Sequence, residues 1–308
     1  MGTAYISHTK CHEHDTGEGH PENARRLSAI EDKFIDTGLA DVLRYVDAPE
    51  VTEPQLLRVH TQGHLQMIES MVPQSGYARL DPDTVISPAT LPAARRAAGA
   101  VVAAVDLVMS SEMESAFCGV RPPGHHAESR QAMGFCLYNN IAVGAAHALQ
   151  QYGLEKVAIV DFDVHQGNGT EEIFKDEQRV LFCSTFQHPF FPYTAILPNA
   201  ANRVNVPLAA SARSEEFRAA VTDHWLPALN DFQPQLVLIS AGFDAHRDDD
   251  MSSVCLTDAD FHWVAEQIMQ VAAASASKRI VSVLEGGYEL NSLARCVDAH
   301  IRVLMGLQ

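Results

Sequence analysis

The sequence predicts an α/β fold: a single domain over residues 1–308, with a central parallel sheet and helices on both faces. Three observations carry this. Short apolar runs recur at Val157–Val164, Val180–Phe186, Leu236–Phe243 and Arg279–Leu284, and such runs suit parallel strands covered on both sides. Segments of helical composition separate most of them, at Tyr138–Tyr152, Ser214–Leu229, Thr257–Ala274 and Leu290–Met305. That alternation builds a sheet with helices on each face. No repeat, low-complexity tract or linker interrupts the 308 residues, a length that suits one large α/β domain.

Earlier in the chain, residues 51–68 (VTEPQLLRVHTQGHLQMI) read as helix with short breaks. Residues 87–109 (SPATLPAARRAAGAVVAAVDLVM) read as a long Ala-rich helix opened by Pro88 or Pro92. The formal net charge is −17, from 39 acidic and 22 basic residues. Nucleic-acid binding wants a basic face, so no such partner is expected. The acidity would steer cationic ligands, or simply keep the chain in solution. No apolar run reaches the length of a membrane span, and the opening MGTAYISHTK lacks the apolar core of a signal peptide. A cytoplasmic protein without a membrane partner is the expectation. Cys11, Cys118, Cys136, Cys183, Cys255 and Cys296 include no CxxC pair. They read as reduced, mostly buried thiols, neither a disulfide frame nor a structural zinc site.

The ends of the apolar runs show where chemistry would sit. One runs into Asp161, Asp163 and His165, a second into Ser240, Asp244 and His246, a third into Glu285, Gly286, Gly287 and Tyr288. Ligands of open α/β sheets bind beyond the carboxyl ends of the strands, so these segments can meet in one crevice. Asp161, Asp163 and His165 are spaced i, i+2 and i+4, which on a strand puts them on one face. Carboxylate and imidazole are good zinc ligands, and Asp244 is the natural third. Three protein ligands and a water make a catalytic site rather than a closed structural one. Alone, the pattern equally describes a polar strand end that caps a loop. The run from Arg121 to His126 (RPPGHH) adds two adjacent imidazoles after a rigid turn, suited to proton transfer near neutral pH. Tyr288 follows two glycines that permit close backbone approach, and its phenol could donate to a developing oxyanion.

Together these segments resemble the histone deacetylase family of the arginase–deacetylase superfamily, in particular class II enzymes and bacterial relatives that include acetylpolyamine amidohydrolases. The matching stretches are HPENARRL (20–27), RPPGHHAESRQAMGFCLYNN (121–140), VDFDVHQGNGT (160–170), SAGFDAHRDD (240–249) and LEGGYEL (284–290). The resemblance implies a sheet of about eight strands and one zinc per chain held by Asp163, His165 and Asp244. It implies that His126 is general base and then general acid, that His125 supports the transition state, and that Tyr288 polarises the acetyl carbonyl. Asp161 would hydrogen-bond His125 and Asn168 would hydrogen-bond His126. Phe135, Phe191, Gly134 and Met251 would line a narrow substrate tunnel, and Arg26 an internal pocket through which acetate leaves. Asp161, Asp163, His165, Ser184 and Thr185 could also form the family's structural potassium site. Asn168 stands where some members carry Asp, which makes His126 less basic.

The resemblance to arginase is weaker. Gly167 stands where a binuclear manganese site needs an Asp, and Ala245 and His246 break the downstream acidic pair. Departures from the deacetylase pattern fall around the site: Gln166, Phe162 and the loop DDDMSSV (248–254), with Met251 where a polyamine-selective branch carries Glu. The implied substrate is an acetylated amine, either acetyl-lysine or an acetylpolyamine. Glu13, Asp15, Glu18, Asp81 and Asp83 could meet a second cation at the mouth, or be ordinary solvated loop charges. The short loop CHEHDTGEGHPE (11–22) suggests an open mouth unless a partner in a homo-oligomer covers it. A non-catalytic acetyl-binding protein on the same fold is expected to have lost Tyr288, His126 or a metal ligand, and none is lost.

Overall fold

The four apolar runs become four neighbouring strands in the middle of an eight-stranded parallel sheet. The computed structural model describes residues 2–307. In chain order the strands are β1 (Thr3–Ser7), β2 (Arg44–Asp47), β3 (Ser115–Cys118), β4 (Val157–Asp161), β5 (Val180–Gln187), β6 (Arg203–Leu208), β7 (Leu236–Ala241) and β8 (Ile280–Leu284). Their order across the sheet is β2-β1-β3-β8-β7-β4-β5-β6. Every residue of β4, β5, β7 and β8 is buried, which is why these strands read as unbroken apolar runs.

The strands that the apolar pattern does not reveal are the short or marginal ones. β2 is an edge strand with three of four residues exposed, and β3 has only four residues. β6 is the opposite edge and contains Pro207, which an edge strand accommodates because one side of its backbone is unpaired. A separate two-stranded hairpin, Ala78–Arg79 with Val85–Ile86, carries the loop between them over the site.

Helices flank the sheet on both faces. α1 (Arg25–Thr37), α5 (Asp258–Ser275) and α6 (Leu290–Met305) pack in series, and α2 (Thr90–Met109) packs on α3 (Asn140–Gln151). The long Ala-rich helix starts at Thr90, so Pro88 precedes it and Pro92 is its third residue. That is a tolerated place, because the first turn has no intrahelical acceptor for an N–H. α3 begins at Asn140 because the Asn139 side chain accepts from Ala142 N. The predicted helix Ser214–Leu229 forms as α4 (214–232), interrupted by a π turn at Val221–Trp225, which seats the fully buried Trp225. The strand expected over Val157–Val164 ends at Asp161, so Asp163 and His165 lie on a loop and do not share a strand face with Asp161. The cause is local. Asp161 Oδ1 accepts from Asp163 N at 3.1 Å and Asp163 Oδ1 from His165 N at 2.9 Å, and successive Asx turns of this kind curl the chain off the sheet.

No described helix is long and apolar enough to cross a membrane. Ile239, fully buried in the centre of β7, tests the core. Ile239→Ala should cost about 2–5 kcal/mol of unfolding free energy, read from the shift of the denaturant midpoint at constant slope.

Candidate metal centre and proton-transfer site

Loops leaving the carboxyl ends of β4, β7 and β8 converge with the 121–126 turn at the floor of a cavity of about 500 Å³. Asp163, His165 and Asp244 meet there, with one ligand atom of each within 4.8 Å of the others. His165 Nδ1 lies 2.9 Å from Asp163 Oδ1 and 3.1 Å from Asp244 Oδ2. The other carboxylate oxygens are fixed by the backbone: Asp163 Oδ2 accepts from Gly286 N at 2.8 Å and Asp244 Oδ1 from Val164 N at 3.0 Å. Gly286 is required for this approach, since a Cβ there would lie 2.1 Å from Asp244 Oδ2.

The donor set fits a small divalent cation. A proton on His165 Nδ1 serves Asp163, and Asp244 Oδ2 remains buried with no hydrogen-bond partner. A metal would satisfy all three atoms at once, and N, O, O ligation with an open position suits catalytic zinc. Burial disfavours the charged imidazole of His165, but the Asp163 and Asp244 carboxylates override it and push the ring up to about 10.

The two adjacent histidines are placed in opposite electrostatic settings. His125 Nδ1 donates to Asp161 Oδ2 at 3.0 Å. Burial opposes its charge, yet Asp161 and Asp163 outweigh that and raise it to about 10. His126 Nδ1 donates to Asn168 Oδ1 at 2.8 Å, and Asn168 Nδ2 donates to Glu128 Oε1 at 2.8 Å. Burial, reinforced by the charge of His125, holds His126 well below the usual range. The pair, with ring centroids 4.0 Å apart, is thus one cation beside one neutral base whose Nε2 is free to accept a proton. Tyr288 lies half-buried on the cavity wall, and burial first, then Asp244, pushes its phenol far above the ordinary value, so it remains a donor.

Phe135, Phe191, Gly134 and Met251 line the cavity together with His125, His126, His165 and Tyr288. Phe191 meets His126 edge-on at 5.1 Å, and Phe135 meets Tyr288 edge-on at 6.1 Å. Gly134 and Phe135 both have positive φ, +56° and +68°, and a Cβ at Gly134 would lie 2.6 Å from the His126 ring. Arg26 sits behind Tyr288, with its guanidinium 4.9 Å from the ring centre. It donates to Gly287 O at 2.6 Å, Glu285 O at 2.5 Å and Glu22 Oε1 at 3.2 Å. Ser184 pairs in register with Asp161 and neighbours Thr185; its buried Oγ has no hydrogen-bond partner.

Of the acidic candidates for the mouth, only Asp83 lines this cavity, and Arg79 lines it too. Asp81 turns inward to accept from Asp83 N, Thr84 N and Gly134 N. Glu13 pairs with Lys10, while Asp15 and Glu18 face a neighbouring cavity that meets the first at His20, Pro21 and Tyr288. Four residues around the site carry no role from sequence alone. Glu285 Oε2 accepts from Gly124 N at 2.7 Å and His125 N at 3.2 Å, and its Oε1 from Ser240 Oγ at 3.0 Å, so it ties the histidine turn to β7. Burial raises this carboxyl to about 7. Glu128 stands behind Asn168, and Phe190 stacks on His165 at 5.3 Å. Asp249 binds the backbone of Tyr288. Only Glu285 had a sequence signal, as the polar residue that ends an apolar run; the others depend on loops folding back from a distance.

A parallel α/β sheet places its site at the carboxyl edge of the strands, where this cluster of carboxylates and imidazoles lies. The histone deacetylase domain profile matches residues 20–304, and the chain belongs to the histone deacetylase family of the arginase–deacetylase superfamily. Hydrolytic deacetylation is the class of reaction that goes with it. A probable deacetylase of Archaeoglobus fulgidus is 34% identical over 94% of this chain and 82% of its own. A histone deacetylase-like amidohydrolase of Pseudomonas aeruginosa is 35% identical over 94% of this chain and 77% of its own. The crystal structure of the HDA15 HD domain superposes with a TM-score of 0.93 at 34% identity, covering 99% of this chain and 88% of that one.

His165, held charged by the Asp163 and Asp244 carboxylates, must shed one proton before Nδ1 can ligate a metal. Zinc titrated into metal-free protein at pH 7.5 should therefore release about one proton per metal, and affinity should rise with pH. Calorimetry in buffers of different ionisation enthalpy measures this, and proton-neutral binding would contradict the charged state of His165 in the metal-free protein.

Proposed function

We propose that the chain, as one catalytic domain over residues 1–308, is a zinc-dependent deacetylase that hydrolyses the acetyl amide of a thin-chained amine and releases acetate. The observation that carries this reading is the pairing of a neutral, Nε2-accepting His126 with a metal-ready Asp163–His165–Asp244 group on one cavity floor. Zinc, when bound, supplies a Lewis acid that polarises the amide oxygen and acidifies water. His126 takes a proton from the attacking water as the new C–O bond forms. It returns that proton to the amine nitrogen as the C–N bond breaks. Asn168 holds its ring, and Glu128 holds Asn168. His125, positive beside Asp161, and the Tyr288 hydroxyl stabilise negative charge developing on the acetyl oxygen. Phe135, Phe191, Gly134 and Met251 hold the methylene chain, and acetate leaves past Arg26. The buried, partnerless Ser184 Oγ beside Asp161 supports a structural potassium ion held by Asp161, Asp163, His165, Ser184 and Thr185, mainly through backbone oxygens.

The mouth favours a lysine side chain over a polyamine. A second ammonium group would meet Asp83 alone, with Arg79 beside it and Met251 in place of a carboxylate. Six free cysteines, five of them buried, agree with a reducing, cytoplasmic setting.

Rates on acetyl-lysine peptides, acetylputrescine, acetylcadaverine and acetylspermidine test both levels of the proposal. Acetyl-lysine should give the highest kcat/KM, and a hydroxamate should block it. A polyamine preference would reverse the substrate assignment, while no turnover of any acyl amine by zinc-loaded protein would remove the activity itself. Tyr288→Phe should lower kcat on the order of 10²–10³-fold with unchanged zinc content.

A further inference from the structure

Asp249 is 4% exposed and spends both oxygens on backbone N–H groups of the site. Its Oδ2 accepts from Tyr288 N at 2.6 Å and from Glu289 N at 3.0 Å, and its Oδ1 accepts from Met251 N at 3.0 Å. We propose that Asp249 is a positioning residue that sets the oxyanion donor Tyr288 and the rim residue Met251 in register with the metal ligands; this rests on the deacetylase reading of Tyr288.

Tyr288 lies in the irregular segment between β8 and α6, directly after Gly287, whose φ is +116°. The peptide unit that enters it is held from two sides: Arg26 donates to Gly287 O at 2.6 Å, and Asp249 accepts from Tyr288 N at 2.6 Å. Arg26 and Phe135 also touch the ring. Asp249 ties this peptide to the loop that leaves the metal ligand Asp244.

The loop that carries Asp249 is anchored by hydrogen bonds ahead of it and, beyond it, by Ser253 N donating to Gln187 Oε1 at 2.8 Å. It leaves Asp244, whose carboxylate is held by Val164 N. Beyond that, Asp248 N donates to His246 Nδ1 at 3.1 Å, which leaves the proton of His246 on Nε2, and Nε2 lies 3.1 Å from Asp258 Oδ1 on α5. Cys296 Sγ of α6 donates to the same oxygen at 3.3 Å, and Arg295 pairs with Asp258 Oδ2 at 3.0 Å. His246, Asp258 and Cys296 have the composition of a metal site. Here their protons already satisfy one another, and a metal would have to displace the tautomer that Asp248 N selects, so the group is an anchor. The result is a hydrogen-bonded bracket between the proposed metal ligand Asp244 and the proposed oxyanion donor Tyr288.

A carboxylate is needed because three donors converge on two oxygens. An asparagine offers one oxygen and turns an NH₂ group toward a donor. Asp249→Ala should free both ends of the bracket. Asp249→Asn can keep the Tyr288–Glu289 end through its oxygen and lose only Met251, so it should recover part of the rate.

The test is a double-mutant cycle on the zinc-loaded full chain. Asp249→Ala should lower kcat on the order of 10–100-fold, a loss typical of misplaced catalytic groups, with KM changed far less and zinc content unchanged. In the Tyr288→Phe background the same substitution should change kcat less than about twofold, because the group it positions is gone. An equal loss in both backgrounds, or an undiminished kcat in folded Asp249→Ala, overturns the proposal. A second measurement is independent of turnover. Amide exchange at Tyr288 and Glu289 should accelerate at least about tenfold in Asp249→Ala, with β4 and β7 unchanged; unaltered protection overturns the proposal. If wild-type protein hydrolyses no acyl amine, the deacetylase reading fails and the exchange measurement alone decides the positioning role. If the alanine variant does not fold, Asp249→Asn carries both measurements, with the larger effect expected at Met251.

Discussion

Two carboxylates buried against one imidazole nitrogen are the constraint around which the rest of this molecule is arranged. Asp163 and Asp244 stand at the ends of adjacent strands, each almost wholly removed from water. Burying an uncompensated carboxylate costs several kcal/mol even after relaxation. The fold offsets part of that with directed backbone donors: His165 N and Gly286 N on Asp163, Val164 N on Asp244. It leaves Asp244 Oδ2 without a hydrogen-bond partner, a place that a divalent cation would fill. The curl of the loop after β4 and the absence of a side chain at Gly286 both serve this crowding.

The same economy separates the two histidines. They are adjacent in sequence and their rings nearly touch, so two full charges there would repel. A carboxylate behind one and a carboxamide behind the other resolves the conflict. His125 becomes a fixed cation and His126 a base, with Glu285 fastening the turn that carries both. In the proposed reaction, the distinction between general base and electrostatic partner therefore lies in Asp161 and Asn168, not in the histidines.

Much of this was legible in the sequence because it sits where the sheet is most regular. The central strands announced themselves by continuous burial, and the residues that end them included Asp161, Asp244, Glu285 and Tyr288. The marginal strands β2, β3 and β6 were hidden because edge exposure, shortness and a proline erase the apolar signal. The assumption that Asp161, Asp163 and His165 share a strand face failed because Asp side chains bonded to nearby backbone N–H groups ended the strand early. Asp249, Glu128 and Phe190 were illegible because their partners lie 39, 40 and 25 residues away along the chain. Nothing local marks such contacts. Of the acidic candidates for the mouth, Asp81 neither faces a cation nor stands solvated, because its carboxylate accepts from backbone N–H groups and braces its own loop.

The cavity is assembled from parts with different roots. Its floor grows out of the buried centre of the sheet, whereas Arg79, Asp83, Phe190, Phe191 and Tyr193 belong to a hairpin and loops outside the eight-stranded sheet. The two parts are not independent. Phe190 stacks on His165, Phe191 meets His126 edge-on, and Met251 shares Asp249 with Tyr288. Remodelling the mouth at those three points to admit a different clientele would therefore also disturb the groups beneath it.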